Sequence, residues 1–186
     1  VFTPASIPQL QDRANVANWR GLGFGISKSY GGLAPLPAVP IELRSIIREQ
    51  GIASAQGVLP GSVLLDDDFT TANFERALEQ NSPVVHIASH FAFRPGSETD
   101  SFLLLGGKNP GGERLTLGQI RRDPRIFFRN TEVLTLSACD TATSGEARGR
   151  EVDGLGYLLE EKGAKSVVAT LWPVADASTG LLMQRF

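Results

Sequence analysis

Short apolar runs separated by polar or glycine-rich segments form the main pattern of this chain. The run PVVHIASH (83–90) is apolar on both faces at its start, which is typical of a central, buried strand. TEVLTLSAC (131–139) and KSVVATLW (165–172) predict two more buried strands. Shorter strands are predicted near Leu22–Ser27, at Ser62–Asp66 and at Ser101–Gly107.

Helical patterns alternate with these runs. Apolar residues among charges predict an amphipathic helix over Ile41–Gln50, ended by Gly51. Another helix is predicted to run to about Gln80, capped by Asp68 or Thr70. Further helices are predicted at LTLGQIRR, at EVDGLGYLLEEKGA and from near Asp176. Strands that alternate with helices predict an α/β fold with a mainly parallel central sheet covered on both sides.

Two residues that can carry chemistry stand where predicted strands end. His90 and Cys139 both lie at carboxyl ends, where parallel sheets place their ligand sites. A thiol attacks a carbonyl as the thiolate, and an imidazole can take its proton and later return one to a leaving amine. The order, histidine before cysteine, and the separation of 49 residues (139 − 90) match the caspase pattern of about 50.

Plainer interpretations compete with this one. A lone cysteine is most often a small core residue, and a lone histidine at a strand end is most often structural. His86, four residues before His90, is interpreted as a core histidine with a hydrogen-bond partner. The spacing of the two histidines and the cysteine matches no zinc pattern, so neither a metal nor a cofactor is expected. GLGFG lacks a complete G-x-G-x-x-G pattern and is interpreted as a turn and strand.

Composition narrows the class of protein. The 186 residues, 41% hydrophobic and 20% charged, suit one soluble domain. A net charge of −2 makes nucleic acid a poor partner, and no apolar run is long enough for a membrane span. One cysteine and no recognisable signal peptide favour the cytoplasm. Residues 1–186 are expected to be a single domain, a piece of a longer multidomain protein, because the chain starts without Met and stops within a helical pattern.

Three segments together resemble the CHAT domain, a family of caspase-like cysteine peptidases related to separase and caspases. They are VVHIASHFAFRPGSETDSFLLLGG, TEVLTLSACDTATSGEARGREVDGLGYLLEEKGAKSVVATLWPVAD and LLMQRF. The similarity continues more weakly upstream and covers nearly the whole chain from about Gly21. It implies the caspase-like αβα sandwich, and it implies that His90 and Cys139 occupy the catalytic positions.

The resemblance also implies further site residues. Many members have glycine after the catalytic histidine, and its N–H helps to form the oxyanion hole. Phe91 stands there in this chain and still supplies an N–H, so the Phe91 and Cys139 amides are the expected donors. By analogy with separases, Asp176 and Asp140 are candidates to bind a basic side chain before the cut. A helix N-cap is an equally good interpretation of Asp176.

The expected function is therefore that of a cysteine endopeptidase with a His–Cys dyad, acting on protein or peptide substrates. The family is often joined to tetratricopeptide repeats, so such repeats or other accessory domains are the expected regulators. An inactive caspase-fold scaffold or signalling module is the alternative. An acyl-transfer enzyme with an amine acceptor is a third, since it begins with the same covalent step.

Overall fold

A computed structural model describes residues 19–51, 57–94, 96–140 and 148–169. Within these ranges, eight strands form one sheet: β1 (Gly21–Gly25), β2 (Ile47–Glu49), β3 (Leu59–Leu65), β4 (Val84–Ala92), β5 (Phe102–Leu105), β6 (Glu113–Thr116), β7 (Val133–Asp140) and β8 (Val167–Ala169). The described residues also form four helices: α1 (Val39–Ile46), α2 (Thr71–Leu78), α3 (Leu117–Arg122) and α4 (Arg148–Glu161). A 3-10 turn, Asp66–Asp68, follows β3.

The sheet is mainly parallel and confirms the α/β fold of caspase-like proteins. The strands β2, β3, β1, β4, β7 and β8 are parallel neighbours in that order. Strands β5 and β6 join antiparallel at the carboxyl-terminal end of β4, where β5 pairs only with Phe91 and Ala92. Strand β4 therefore contacts three strands, and its last residues lie between β7 and β5.

The largest apolar cluster lies against one face of the sheet. It contains Phe24 of β1, Phe74 of α2 and, from α4, Leu155, Leu158 and Leu159. Helix α2 is oriented by its N-cap, since the Thr70 side chain accepts a hydrogen bond from the Asn73 amide, which confirms one of the two predicted caps.

Helix α1 lies against the opposite face, directly on the glycines of β1. A Cβ at Gly25 would lie 2.5 Å from Val39 Cγ1, and one at Gly23 would lie 3.2 Å from Leu43 Cδ2. Any side chain at these positions would push the helix away from the sheet. The GLGFG run is thus a strand, as predicted, and its glycines allow close packing of a helix.

Two details of the predicted elements were wrong. The helix predicted over Ile41–Gln50 begins earlier, at Val39 with Pro40 in its first turn, and it ends at Ile46. Ile47 is completely buried and pairs with Leu59, so tertiary pairing turns the end of the predicted helix into β2. Strand β6 was missed because its four residues, ERLT, carry no apolar run and are recognisable only through pairing with β5.

Candidate functional site: the carboxyl ends of β4 and β7

The parallel register brings the two predicted catalytic residues side by side. In the β4–β7 ladder, His90 is the partner of Cys139, and Phe91 is the partner of Asp140, the last residue of β7. For Cys139 and Asp140, the structure describes the backbone alone. Asp176 lies outside the described residues.

The His90 ring is buried and held by a backbone group. It is 5% exposed, and its Nε2 lies 2.9 Å from the Ala34 carbonyl oxygen. A carbonyl can only accept, so Nε2 carries the hydrogen, and in the neutral ring Nδ1 is the basic nitrogen. Among the described residues, Nδ1 has no hydrogen-bond partner. This arrangement leaves one nitrogen of His90 available to take a proton.

Ala34 was not predicted from the sequence as a site residue. Its contribution is a main-chain carbonyl oxygen. Every residue type has one, so the sequence gives no sign of which residue supplies it. It lies in the connection between β1 and α1, residues Ile26–Leu36, which we call the β1–α1 strap. The amide of Leu36 donates to the Ser27 carbonyl at 3.0 Å, which closes the strap on itself.

The strap is anchored by the aspartates of the turn after β3. Asp66 accepts hydrogen bonds from the Ser27 amide at 2.6 Å, the Ser27 hydroxyl at 2.7 Å and the Lys28 amide at 3.0 Å. Asp67 accepts from Tyr30 Oη at 2.8 Å and pairs with Lys28 Nζ at 3.0 Å. The position of the Ala34 carbonyl therefore depends on contacts between residues 37 to 39 positions apart in the chain, as well as on the strap itself.

Near neutral pH, electrostatic interactions keep Asp67 and Tyr30 in the protonation states that their hydrogen bond requires. Hydrogen bonds from Lys28 and then Tyr30 hold the pKa of Asp67 below its usual value. Burial, followed by the contact with Asp67, raises the pKa of Tyr30. Asp67 thus stays ionised as an acceptor, and the Tyr30 hydroxyl stays protonated as a donor.

His86 contrasts with His90 on the same strand. It is 1% exposed, with Nε2 2.7 Å from Glu42 Oε1 of α1 and Nδ1 in a short contact with Thr135 Oγ1 of β7. Both ring nitrogens are occupied, which confirms the interpretation as a core histidine. Glu42, equally buried, joins the first turn of α1 to the centre of the sheet through His86, which lies four residues before His90 on the same face of β4.

Other kinds of site find no support in the described residues. No group of three or more histidine, cysteine, aspartate and glutamate side chains is placed to hold a metal ion in the part of the chain that the structure describes. None of the helices in those same ranges is long and apolar enough to cross a membrane.

Comparison with known proteins identifies the family. The model of the CHAT domain matches residues 2–186, which is nearly the full length of the chain. A search of the curated proteins finds no match. The match agrees with the mainly parallel sheet of the structure. The chain belongs to the CHAT domain family, a family of caspase-like peptidases.

Proposed function

We propose that this chain is a cysteine endopeptidase in which His90 and Cys139 act as a pair on protein substrates. The observation that carries the proposal is the register of β4 and β7, which makes the two residues partners at adjacent carboxyl ends. Partner positions on neighbouring strands lie within a few ångströms of each other, a separation suited to proton transfer between a thiol and an imidazole.

The contact between His90 and the Ala34 carbonyl supports a role for the imidazole as acid and base. With the hydrogen on Nε2, the neutral ring offers Nδ1 to the Cys139 thiol. Once Nδ1 is protonated, the carbonyl stabilises the imidazolium, because it accepts a charge-assisted hydrogen bond. The protonated ring then gives its proton to the departing amine, and water, deprotonated by the same ring, hydrolyses the acyl-enzyme.

For the tetrahedral intermediate, we propose the amides of Phe91 and Cys139 as the donors to the oxyanion. The β4–β7 ladder ends with two pairs, His90 with Cys139 and then Phe91 with Asp140, so both proposed donors lie at its end. Two amide donors next to the nucleophile could stabilise the developing charge. A structure with a peptide aldehyde bound tests this: we expect its oxygen within hydrogen-bond distance of both amides, and a position far from both would rule it out.

We propose a basic preference for the residue before the cut, set by Asp140 and Asp176. Asp140 supports the proposal through its place next to the nucleophile at the end of β7. A fluorogenic panel with Arg, Lys, Gln or Asp at that position tests it with the variants Asp140→Ala and Asp176→Ala. Both variants should lose preference for Arg and Lys, and an unchanged preference in either one removes that residue from the pocket.

Regulation by accessory domains is part of the same proposal. A cytoplasmic enzyme whose peptidase domain is joined to tetratricopeptide repeats or similar modules would be controlled by what those modules bind. The single cysteine of the chain suits a reducing compartment. The test compares the peptidase activity of the chain alone with that of the full-length protein, with and without candidate binding proteins, and equal activity in all cases rejects the regulatory role.

The experiment that tests the peptidase function compares wild type with Cys139→Ala and His90→Ala on a broad peptide library. We expect the loss of His90 to reduce the rate by about 10²–10⁴-fold and the loss of Cys139 to abolish turnover. Mass spectrometry of the products separates hydrolysis from acyl transfer to an amine. A wild-type protein without turnover would favour the scaffold alternative, and turnover that survives Cys139→Ala would rule out Cys139 as the nucleophile.

A further inference from the structure

A cleft opens beside the carboxyl end of β4, next to the proposed catalytic pair. Its volume is about 760 Å³. Its walls include Leu33 of the strap, Ala92 at the end of β4, Phe102 and Leu104 of β5, and Arg114 of β6. Leu33 precedes the residue whose carbonyl accepts from His90, and Ala92 lies two residues beyond His90. The cleft is therefore a continuation of the site along the sheet.

The strand register shows on which side of His90 the cleft lies. Ala92 is the partner of Phe102, and Leu104 is the partner of Arg114. Residues two apart on a strand share a face, so Ala92 is on the face of β4 that carries His90. Strand β7, with Cys139, pairs with the other edge of β4. His90 thus separates the position of the nucleophile from the cleft.

The chemistry of peptide cleavage predicts which part of a substrate would lie on the cleft side of His90. The sulfur of Cys139 forms a bond to the scissile carbonyl carbon, the C–N bond breaks, and the proton on His90 goes to the departing nitrogen. The leaving amine must therefore face His90, and the chain that follows it extends away from Cys139. That direction leads from β4 towards β5 and β6, into the cleft.

Resting on the proposed peptidase function, we propose that this cleft binds the substrate residues that follow the cut and that Arg114 selects acidic side chains among them. The Arg114 guanidinium lies 4.6 Å from the centroid of the Phe102 ring, which orients it by stacking. It is exposed and makes no ion pair with any described residue. A stacked guanidinium keeps its edge for two hydrogen bonds to a carboxylate.

Besides Arg114, the charged residues among the described lining are Arg94 and Asp100. Asp100 is therefore the carboxylate that could compete for Arg114 among those described residues. That carboxylate already accepts a hydrogen bond from the Ser97 hydroxyl at 2.7 Å. The exposed Arg114 guanidinium thus attracts an acidic substrate and repels a basic one.

The test uses internally quenched peptides that carry Glu, Gln or Lys at the two positions after the cut, each with Arg, Lys or Asp before it. We expect wild type to favour Glu over Gln by about fivefold in kcat/KM, mainly through KM. Arg114→Gln should remove the preference, and Arg114→Glu should reverse it towards Lys. Arg76→Gln, an exposed arginine of α2 on the other face, is the matched control and should keep it.

The outcomes separate this inference from the proposed function. Turnover with no preference for Glu, or a preference that survives Arg114→Gln, overturns the inference and leaves the peptidase intact. Should no peptide be cleaved, the peptidase proposal fails, and fluorescence anisotropy of labelled Gly-Glu-Glu-Gly and Gly-Gln-Gln-Gly then tests the cleft directly. Tighter, salt-sensitive binding of the acidic peptide that is lost in Arg114→Gln supports the cleft, and equal binding of the two peptides rejects it.

Discussion

On one face of the central sheet, aromatic rings pack against each other, with Phe24 and Phe74 4.8 Å apart edge to face and Phe69 and Phe128 in contact with Phe74. On the other face, helix α1 lies on glycines, and the neighbouring strand carries His86 and His90. The aromatic face gains its free energy from apolar burial, which tolerates no polar group without a partner. The histidine face buries a smaller apolar cluster, Val39, Leu43 and Ala88, and also holds buried polar groups by hydrogen bonds. The two faces should therefore respond differently to substitution.

The largest expected effect is on the aromatic face. Phe74→Ala removes a ring that contacts three others and leaves a cavity, so we expect the free energy of unfolding to fall by about 3–5 kcal/mol. Urea unfolding followed by circular dichroism measures it. Ile41→Ala, at a residue of α1 that is 64% exposed, is the control and should change stability by less than about 0.5 kcal/mol. A loss below about 1 kcal/mol for Phe74→Ala would contradict the role of this cluster.

On the histidine face, the buried pair of Glu42 and His86 should matter nearly as much. Glu42→Ala leaves His86 Nε2 without an acceptor in a site that is 1% exposed, and we expect a loss of about 2–4 kcal/mol. Glu42→Gln keeps an acceptor oxygen and should cost less. Chemical denaturation of both variants checks the order, and equal stability of Glu42→Ala and wild type would show that the pair does not hold α1 on the sheet.

The anchor of the strap should have a smaller effect on stability and a visible one on the site. Asp66 accepts three hydrogen bonds and has a positive φ of 52°, which Asn adopts more readily than Ala. We expect Asp66→Ala to cost about 2 kcal/mol and Asp66→Asn less. Both should slow alkylation of Cys139, because the Ala34 carbonyl that supports His90 loses its position. If Asp66→Ala is less stable but its Cys139 is alkylated at the wild-type rate, the strap does not support His90.

The smallest effect belongs to the surface ion pair of Asp123 and Arg125. Hydrogen bonds from the Arg125 side chain and amide lower the pKa of Asp123 to about 2. Because the pKa is lower in the folded state than in the unfolded one, near 4, the stabilisation is present above pH 4 and is lost as the pH falls towards 2. In Asp123→Asn, the free energy of unfolding should depend less on pH between pH 4 and 2 than in wild type, by at most about 1 kcal/mol. A profile identical to wild type would reject the contribution.

The elements that could be predicted from the sequence are mostly those that bury apolar side chains. The apolar runs that became β4 and β7 predicted the centre of the sheet, and their ends indicated His90 and Cys139 as candidate residues, which the ladder pairs. Strand β6 and the end of α1 could not be predicted, because pairing with distant strands decides them. The partners of the two histidines were also beyond sequence reasoning. Glu42 is 44 residues from His86, and the Ala34 oxygen belongs to the main chain and has no residue signature.

The most direct test of the account is the rate of alkylation of Cys139 by a small electrophile between pH 4 and 10, in wild type and in His90→Ala. The chain has one cysteine, so the reaction reports on that thiol alone. The account predicts a reactive phase with an apparent pKa below the free-thiol value of about 8.5, lost in His90→Ala. A thiol that titrates at the ordinary value in both proteins would contradict a coupled His90–Cys139 pair.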